Sequence, residues 1–553
     1  MLRKGNYKRL WLDVQIIASV KFTKFSYNST QTVMTTLNQI GQRLAQGMTQ
    51  VKQWQSARDR ERAHAEKVNV VGAGGSLTAA YEQLRNAAEN TEEHLLLQNA
   101  IKRFYKQLFI TRDERLIQTS GNELVIELTF AGYVPNDTVT RQQIDDLSRL
   151  AVAHYGAYEA LLEQRAVSSD RALKWTLDVL AVKSESLFND HSKDGVFIDF
   201  ASSYYTDIIP QSSVKKGQES DYGALLFAAI HKALLKSDDA AIRTRLLERY
   251  RIEVDNLASF VAYNKQIDSL LEPKAGSSLM YMVDRQGAPL RILRHMIEEK
   301  PDFGELLTKR ETFLQQFEQQ VDKEYSRVAK RINRAIVRSV IFLIITKFLI
   351  GIAMEVTYDL WAHGSIIWLP LIINLLFPPI YMVLLRFTNT LPGYANTSAL
   401  VDRADKMLYG KQTMLMKKQL SGRRYGPIFS VVYVISGLVM FAAVTWLLLM
   451  LGFSLVHIFI FFIFISAASF LGFRLSRLIR ELEVVRGSSN GLTFVRDLIY
   501  LPFVVVGRWM SSAYSQVNVV TIVLDMLIEL PLKTILRLIR QWGQFIDDRK
   551  DRI

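Results

Sequence analysis

Residues 336–356 read IVRSVIFLIITKFLIGIAMEV, an apolar run whose charges are Arg338, Lys347 and Glu355. A helix needs about 20 mostly apolar residues to cross a hydrocarbon core about 30 Å thick, at about 1.5 Å of rise per residue. This run meets that length. Three more do so further on: 366–385 (IIWLPLIINLLFPPIYMVLL), 427–451 (PIFSVVYVISGLVMFAAVTWLLLML) and 454–473 (SLVHIFIFFIFISAASFLGF). Runs of this length are rare in soluble cores, so the pattern predicts four membrane spans.

Orientation follows from the lysines and arginines, which favour the cytoplasmic side. Lys323, Arg327, Lys330, Arg331 and Arg334 precede the first run. The link between the second and third carries Arg386, Arg403, Lys406, Lys411, Lys417, Lys418, Arg423 and Arg424, and Arg474, Arg477 and Arg480 follow the fourth. The link 357–365 and the turn at Gly452-Phe453 carry neither lysine nor arginine. Both termini and the central link are therefore expected in the cytoplasm, with the spans paired in two hairpins. Pro370, Pro378 and Pro379 each lack a helical amide and are expected to bend or break the second run. Ala468, Gly472 and Gly437 are small residues suited to close helix packing.

Working outward, the fold class expected is mainly α. An N-terminal cytosolic helical domain, with room for one small sheet, precedes an α-helical membrane domain of four spans. Interfacial or re-entrant helices follow at the C-terminus. The expected divisions are a basic arm and linker (1–75), the helical domain (76–304), a coupling helix (305–335), the membrane unit (336–473) and the C-terminal segment (474–553). Residues 305–356 hold Gly351 but no proline, and are read as one helix entering the first span. Apolar spacing predicts helices over 77–88, 92–109, 141–164, 172–188, 221–236, 241–267 and 290–299. Alternation in ELVIELTF (123–130) predicts a strand. In the arm, Leu37, Ile40, Leu44, Met48 and Val51 repeat at helical spacing, and Trp11, Leu12, Ile16 and Val20 form a basic amphipathic stretch.

The chain has 553 residues, a formal net charge of +14 and no cysteine. Disulfides, thiol nucleophiles and cysteine metal sites are excluded. Much of the positive excess flanks the apolar runs, which favours a lipid bilayer with anionic head groups as its partner. No nucleic-acid motif is present, so nucleic acid is not expected. A protein partner, whether another component or a second copy of the chain, is open.

Few residues offer chemistry. VNVVGAGGS (68–76) fails the dinucleotide fingerprint, with Leu77 where its last glycine belongs. Asp190, His191, Asp194 and Asp199 crowd DHSKDGVFIDF (190–200), read as a polar loop before a strand, without the spacing of a known metal or hydrolase motif. No catalytic, metal or cofactor residue is assigned, and no cofactor is expected. The intramembrane candidates are Lys347, Asn374, Asp525 and Glu529. Lys347 lies near the middle of the first span, where an ionisable group costs several kcal/mol unless paired or hydrated. Glu355 looks too far along the helix to reach it. Asn374 sits among the prolines of the second run. Asp525 and Glu529 lie on a polar row of the C-terminal segment, where residues 498–536 are read as interfacial or re-entrant.

LTAAYEQLRNAAENTEEHLLLQNAIKRF (77–104) and LPFVVVGRWMSSAYSQVNVVTIVLDMLIELPLKT (501–534) resemble uncharacterised multi-pass membrane proteins of small-genome bacteria. The resemblance covers a small part of the chain, carries no known activity and transfers no functional residue. It implies a bacterial plasma membrane. The near-absence of acidic residues before Arg58, where Asp13 stands alone, also fits a mitochondrial inner-membrane protein with a transit peptide. Three functions remain in view. The first is a non-enzymatic, membrane-anchored interaction or scaffold protein. The second is a transporter or channel component using Lys347. The third is a membrane enzyme acting on lipid or peptide.

Overall fold

The structure is a computed structural model and describes residues 36–70, 75–88, 92–214, 217–388, 391–410, 427–485, 491–516 and 542. Helices make up 82% of it, and there is no strand among the described residues. In the N-terminal part the helices are α1 (Gln39–His64), α2 (Gly75–Ala88), α3 (Leu96–Thr111), α4 (Glu114–Gln118), α5 (Ser120–Phe130), α6 (Arg141–Glu163) and α7 (Ser169–Phe188). They continue as α8 (Ser192–Ile208), α9 (Tyr222–Ile230), α10 (Asp239–Arg249), α11 (Leu257–Leu271), α12 (Ser277–Gln286), α13 (Ala288–Glu299) and α14 (Phe303–Thr308). The apolar part follows as α15 (Arg310–Ile350), α16 (Thr357–His363), α17 (Trp368–Thr388), α18 (Tyr394–Leu408), α19 (Pro427–Met450), α20 (Leu455–Arg480) and α21 (Gly491–Gln516).

The small sheet is not formed. Residues 123–130 belong to α5, where Leu124, Val125 and Leu128 make one buried face. Alternation over so few residues fits a helix face equally well, and with no partner strand at hand the helix satisfies the backbone internally. The extended pairing that remains is the isolated bridge between Lys67 and Thr140. Thr140 then opens α6 with a capping box closed by Gln143. Residues 192–208, expected to begin as a strand, are helix α8. The helix expected over 241–267 is two, α10 and α11, parted by a turn with Arg251 at φ 56°. The apolar face of α1 is covered, with Ile40, Leu44 and Met48 packed into the domain core.

One charged network lies inside that core. Arg243 on α10 is 1% exposed. It reaches Asp178 (3.2 Å), Asn264 (2.7 Å) and Asp268 (2.5 Å). Lys102 also pairs with Asp178, and the Trp175 indole donates to Asp268 (3.0 Å). Every nitrogen of the guanidinium has an acceptor, which is what a buried cation requires.

The coupling helix starts later than expected. A break at Lys309 separates α14 from α15. Beyond Ile350 the chain winds as a π turn (Gly351–Val356) and runs on into α16, so the first long helix spans Arg310–His363. Gly364, at φ 68°, makes the reversal that sequence reading puts over the whole of 357–365. Pro378 and Pro379 are both carried inside α17, which continues through them. Among the described residues, four helices are long and apolar enough to cross a membrane: Arg310–His363, Trp368–Leu385, Val431–Met450 and Leu455–Arg480. Helix α21 packs along α20, and at Gly507 a β-carbon would collide with the Ser466 carbonyl oxygen. Residues 517–541 of the expected C-terminal pair lie outside the described residues.

Helix α18, in the link between the second and third apolar helices, inserts into the N-terminal core through Leu400, Ala404, Met407 and Leu408. Arg310 holds Asp405 in a two-pronged bridge, both contacts 2.7 Å. Asn396 donates to Tyr325 (2.8 Å) and to the Leu482 carbonyl (2.9 Å), while Arg291 donates to the Glu481 carbonyl (3.0 Å). The N-terminal domain and the apolar helices thus share one packed junction rather than a single hinge.

Candidate functional site

The apolar helices enclose a seam of polar side chains. Lys347 on α15 is 2% exposed, and Glu355, Asp359, Asn374 and His457 are fully buried. Lys347 Nζ donates to Glu355 Oε1 at 2.7 Å and lies 4.5 Å from the Phe464 ring centre. The partner of Lys347 is therefore on its own helix, not on another segment. In a regular α-helix, eight residues at 3.6 per turn leave two side chains about 80° apart. The π turn between them winds less per residue and swings Glu355 back over Lys347.

One turn further on, Asp359 Oδ2 accepts the Ile367 amide at 3.0 Å, across the reversal at Gly364. Its Oδ1 lies 3.5 Å from His457 Nε2 and 3.8 Å from His363 Nδ1. Those separations are ion-pair distances but too long for hydrogen bonds. His457, in the first turn of α20, is fixed at Nδ1 by the Ser454 hydroxyl (2.7 Å), the residue that caps the helix. Asn374 on α17 donates to the His457 carbonyl at 3.2 Å. Pro378, four residues on, has no amide to offer the Asn374 carbonyl.

Four atoms of this seam have no hydrogen-bond partner among the described residues: Glu355 Oε2, Asp359 Oδ1, Asn374 Oδ1 and His457 Nε2. Three are oxygens that accept. Such a set can take a proton or a small donor, whereas the Lys347–Glu355 pair is neutral as a unit and closed. Further along α20, the Tyr381 hydroxyl and Ser469 make a separate contact of 3.0 Å. No group of three or more His, Asp or Glu among the described residues is arranged to hold a metal ion.

Of the residues singled out by sequence, Lys347 and Asn374 fall in this seam, linked through Glu355, Asp359 and His457. Asp525 and Glu529 lie outside the described residues. Sequence reasoning set Glu355 aside and passed over Asp359 and His457. The signal was there: His457 is the one histidine inside the four apolar runs, and Asp359 the one acid in the link 357–365.

Fold and seam together define a class: a mainly helical chain with, among the described residues, four helices long and apolar enough to cross a membrane. No protein-family model matches the chain, nor does any curated protein or solved structure.

Proposed function

We propose that this chain is a multi-pass integral membrane protein. Its cytosolic helical domain is a docking platform held at a fixed attitude to the bilayer, a membrane-anchored interaction or scaffold role without chemistry of its own. The observation that carries the reading is the junction at α18, which commits the link between two spans to the domain core. A domain so built in cannot swing freely, and it presents the same faces to a partner at all times. The bilayer is supported by the outward surface. Only 6% of the window in Val431–Met450 is buried, and exposed apolar side chains such as Phe342, Phe348, Leu376 and Leu384 cover α15 and α17. Trp361, Trp368 and Trp446 stand exposed near the lysine-free connections, as aromatic residues do at a membrane interface. Anionic lipids suit the basic flanks at the other end, and a bacterial plasma membrane with both termini inside is the location proposed.

The absence of cysteine makes the sidedness test direct. Single cysteines at Trp361 and at Glu311, in intact cells, should react with an impermeant thiol reagent from outside only at position 361. Labelling at 311 instead would reverse the topology. The docking role is tested by photo-crosslinkers on the surface of α6 and α10. They should trap one defined partner, or a second copy of the chain, in a ratio that deletion of α18 alters.

A second reading, a transporter or channel component, has one observation in its favour: the unpartnered acceptors of the seam. The closed Lys347–Glu355 pair weighs against it. Solute flux into proteoliposomes that is lost in Lys347→Met would raise this reading above the first.

A further inference from the structure

Helices α1, α7, α8, α9, α10 and α13 surround a cavity of about 600 Å³ in the N-terminal domain. Small-molecule sites occupy about 300–1,000 Å³, with apolar walls and a few placed polar groups. Here the apolar wall is Leu95, Val182, Ile198, Phe227 and Leu235. The polar groups include the cluster 190–199, which the helix start of α8 turns toward the cavity.

The acids of the cavity are mostly spent on one another's bases. Glu185 accepts from His191 (2.7 Å) and Asn189 (2.5 Å). Asp190 accepts from Gln55 (2.5 Å) and the Ser192 amide (3.0 Å), and pairs with Arg58 (3.3 Å). Asp194 takes Arg294 (3.0 Å) and lies 3.7 Å from His191. Glu248 holds Arg245 at 2.8 Å. These contacts raise His191 to about 9, because the Asp194 and Glu185 carboxylates flank its ring on either side. Burial works to raise Asp194, but His191 and Arg294 outweigh it and bring it down to about 2. Asp199, at the rim, makes no ion pair among the described residues, but the charge of Arg249 partly offsets the upward push of burial on its carboxyl.

The bases are not all spent. Among the described residues Arg249 has no ion-pair partner and lies over the Phe227 ring, 5.3 Å from its centre. Arg58 Nε and His231 Nε2 are buried without hydrogen-bond partners. His231 is 2% exposed and sits at the head of a second π turn, His231–Leu235. Such turns recur at functional sites because they re-aim side chains. The Ser237 hydroxyl lies 3.1 Å from Nδ1, and in the tautomer where it donates there the proton of the neutral ring is on Nε2, facing the cavity as a donor. Burial lowers His231 to about 4, keeping it neutral until a negative group arrives. The unmet hydrogen-bonding capacity of this cavity is therefore weighted to donors, beside an aromatic and aliphatic wall.

We propose that the cavity binds a small organic anion, an apolar body carrying a carboxylate or phosphate. Arg249 receives the oxyanion beside the Arg245–Glu248 pair, His231 supplies a further donor, and Phe227 and Leu235 receive the body. The proposal stands apart from the docking role, since it rests on no residue of the junction or of the seam.

Titration calorimetry on the full chain in detergent tests it with four probes of one ring: benzoate, phenyl phosphate, benzylamine and benzyl alcohol. The two anions should bind about tenfold or more tighter than the cation and the neutral probe, since charge-assisted hydrogen bonds contribute that much. The stronger of the two anions then identifies the head group. Arg249→Gln should weaken anion binding about tenfold and Arg245→Gln less, while Arg171→Gln, exposed in the first turn of α7, should leave it unchanged. Arg249 is exposed, so its loss should not unfold the domain, and the melting curve verifies this. Equal binding of all four probes, no binding of either anion, or anion binding unchanged in the Arg245→Gln/Arg249→Gln double variant would each overturn the proposal.

Discussion

Two buried polar clusters in this molecule invite comparison. In the N-terminal core, every nitrogen of the Arg243 guanidinium has an acceptor, and the two carboxylates among them, Asp178 and Asp268, each have a further donor. Among the apolar helices, Lys347 bonds one oxygen of Glu355, while the other Glu355 oxygen and three atoms beyond the pair stay unmatched among the described residues. Both clusters face the same cost of removing charge from water. The first meets it in full and has the marks of a structural fastener. The second meets it only at Lys347, and the remainder is the pattern that a transient occupant would complete.

The sharpest way to break the contrast is Arg243→Met. It should leave Asp178 to Lys102 alone and take the cation from Asp268 and Asn264, and cost about 3–5 kcal/mol, the penalty for removing one partner of a buried network. Thermal unfolding in detergent reads this, and a loss under about 1 kcal/mol would remove the network's structural role. Next in size is Lys347→Met, expected to cost about 2–3 kcal/mol by leaving Glu355 unpaired among apolar helices. The double variant Lys347→Met/Glu355→Met should recover most of that loss, because an apolar pair needs no compensation. If it recovers nothing, the pair does more than neutralise itself.

A smaller effect is expected from pH in the N-terminal domain. His191 has its folded value raised to about 9 by Asp194 and Glu185. Its contribution is fully present below the unfolded value of about 6.5 and is lost as pH rises from there through about 9. Asp194 is lowered to about 2, against burial, by His191 and Arg294, so its contribution is present above its ordinary range and lost as pH falls toward 2. His191 is about a third exposed, so solvent screening limits its share to about 1 kcal/mol. A melting-temperature profile should fall on the alkaline side, and His191→Gln should flatten that limb. The smallest change is expected from Asn374→Leu. It gives up one hydrogen bond of 3.2 Å and removes an unmatched oxygen, so stability should move by less than about 1 kcal/mol. A large loss would mean that Asn374 is fully engaged and that the seam is as closed as the Arg243 network.

How much of this could be read beforehand differs by residue. Lys347 was legible because a charge in an apolar run stands out without any tertiary knowledge. Glu355 looks out of reach of Lys347 because eight residues of unbroken α-helix would hold it too far along, and nothing local in GIAMEV announces a π turn. Residues 123–130 were misread because a run that short satisfies both periods, and only the missing partner strand decides between them. The crowding of Asp190, His191, Asp194 and Asp199 was noticed, but not Arg245, Arg249 and His231, which reach the same cavity from other helices.

The sequence by itself determined the four long apolar helices and the uneven placement of lysine and arginine around them. Both are sums over neighbouring residues, and hydrophobic length needs no knowledge of what packs where. Only the tertiary structure decided that α18 belongs to the N-terminal core, that Lys347 meets Glu355, and that arginines from separate helices converge on one cavity. Those outcomes depend on helix phase and on which faces meet. A polar group's partner is chosen by geometry over a few ångströms, and residues far apart in the chain supply it.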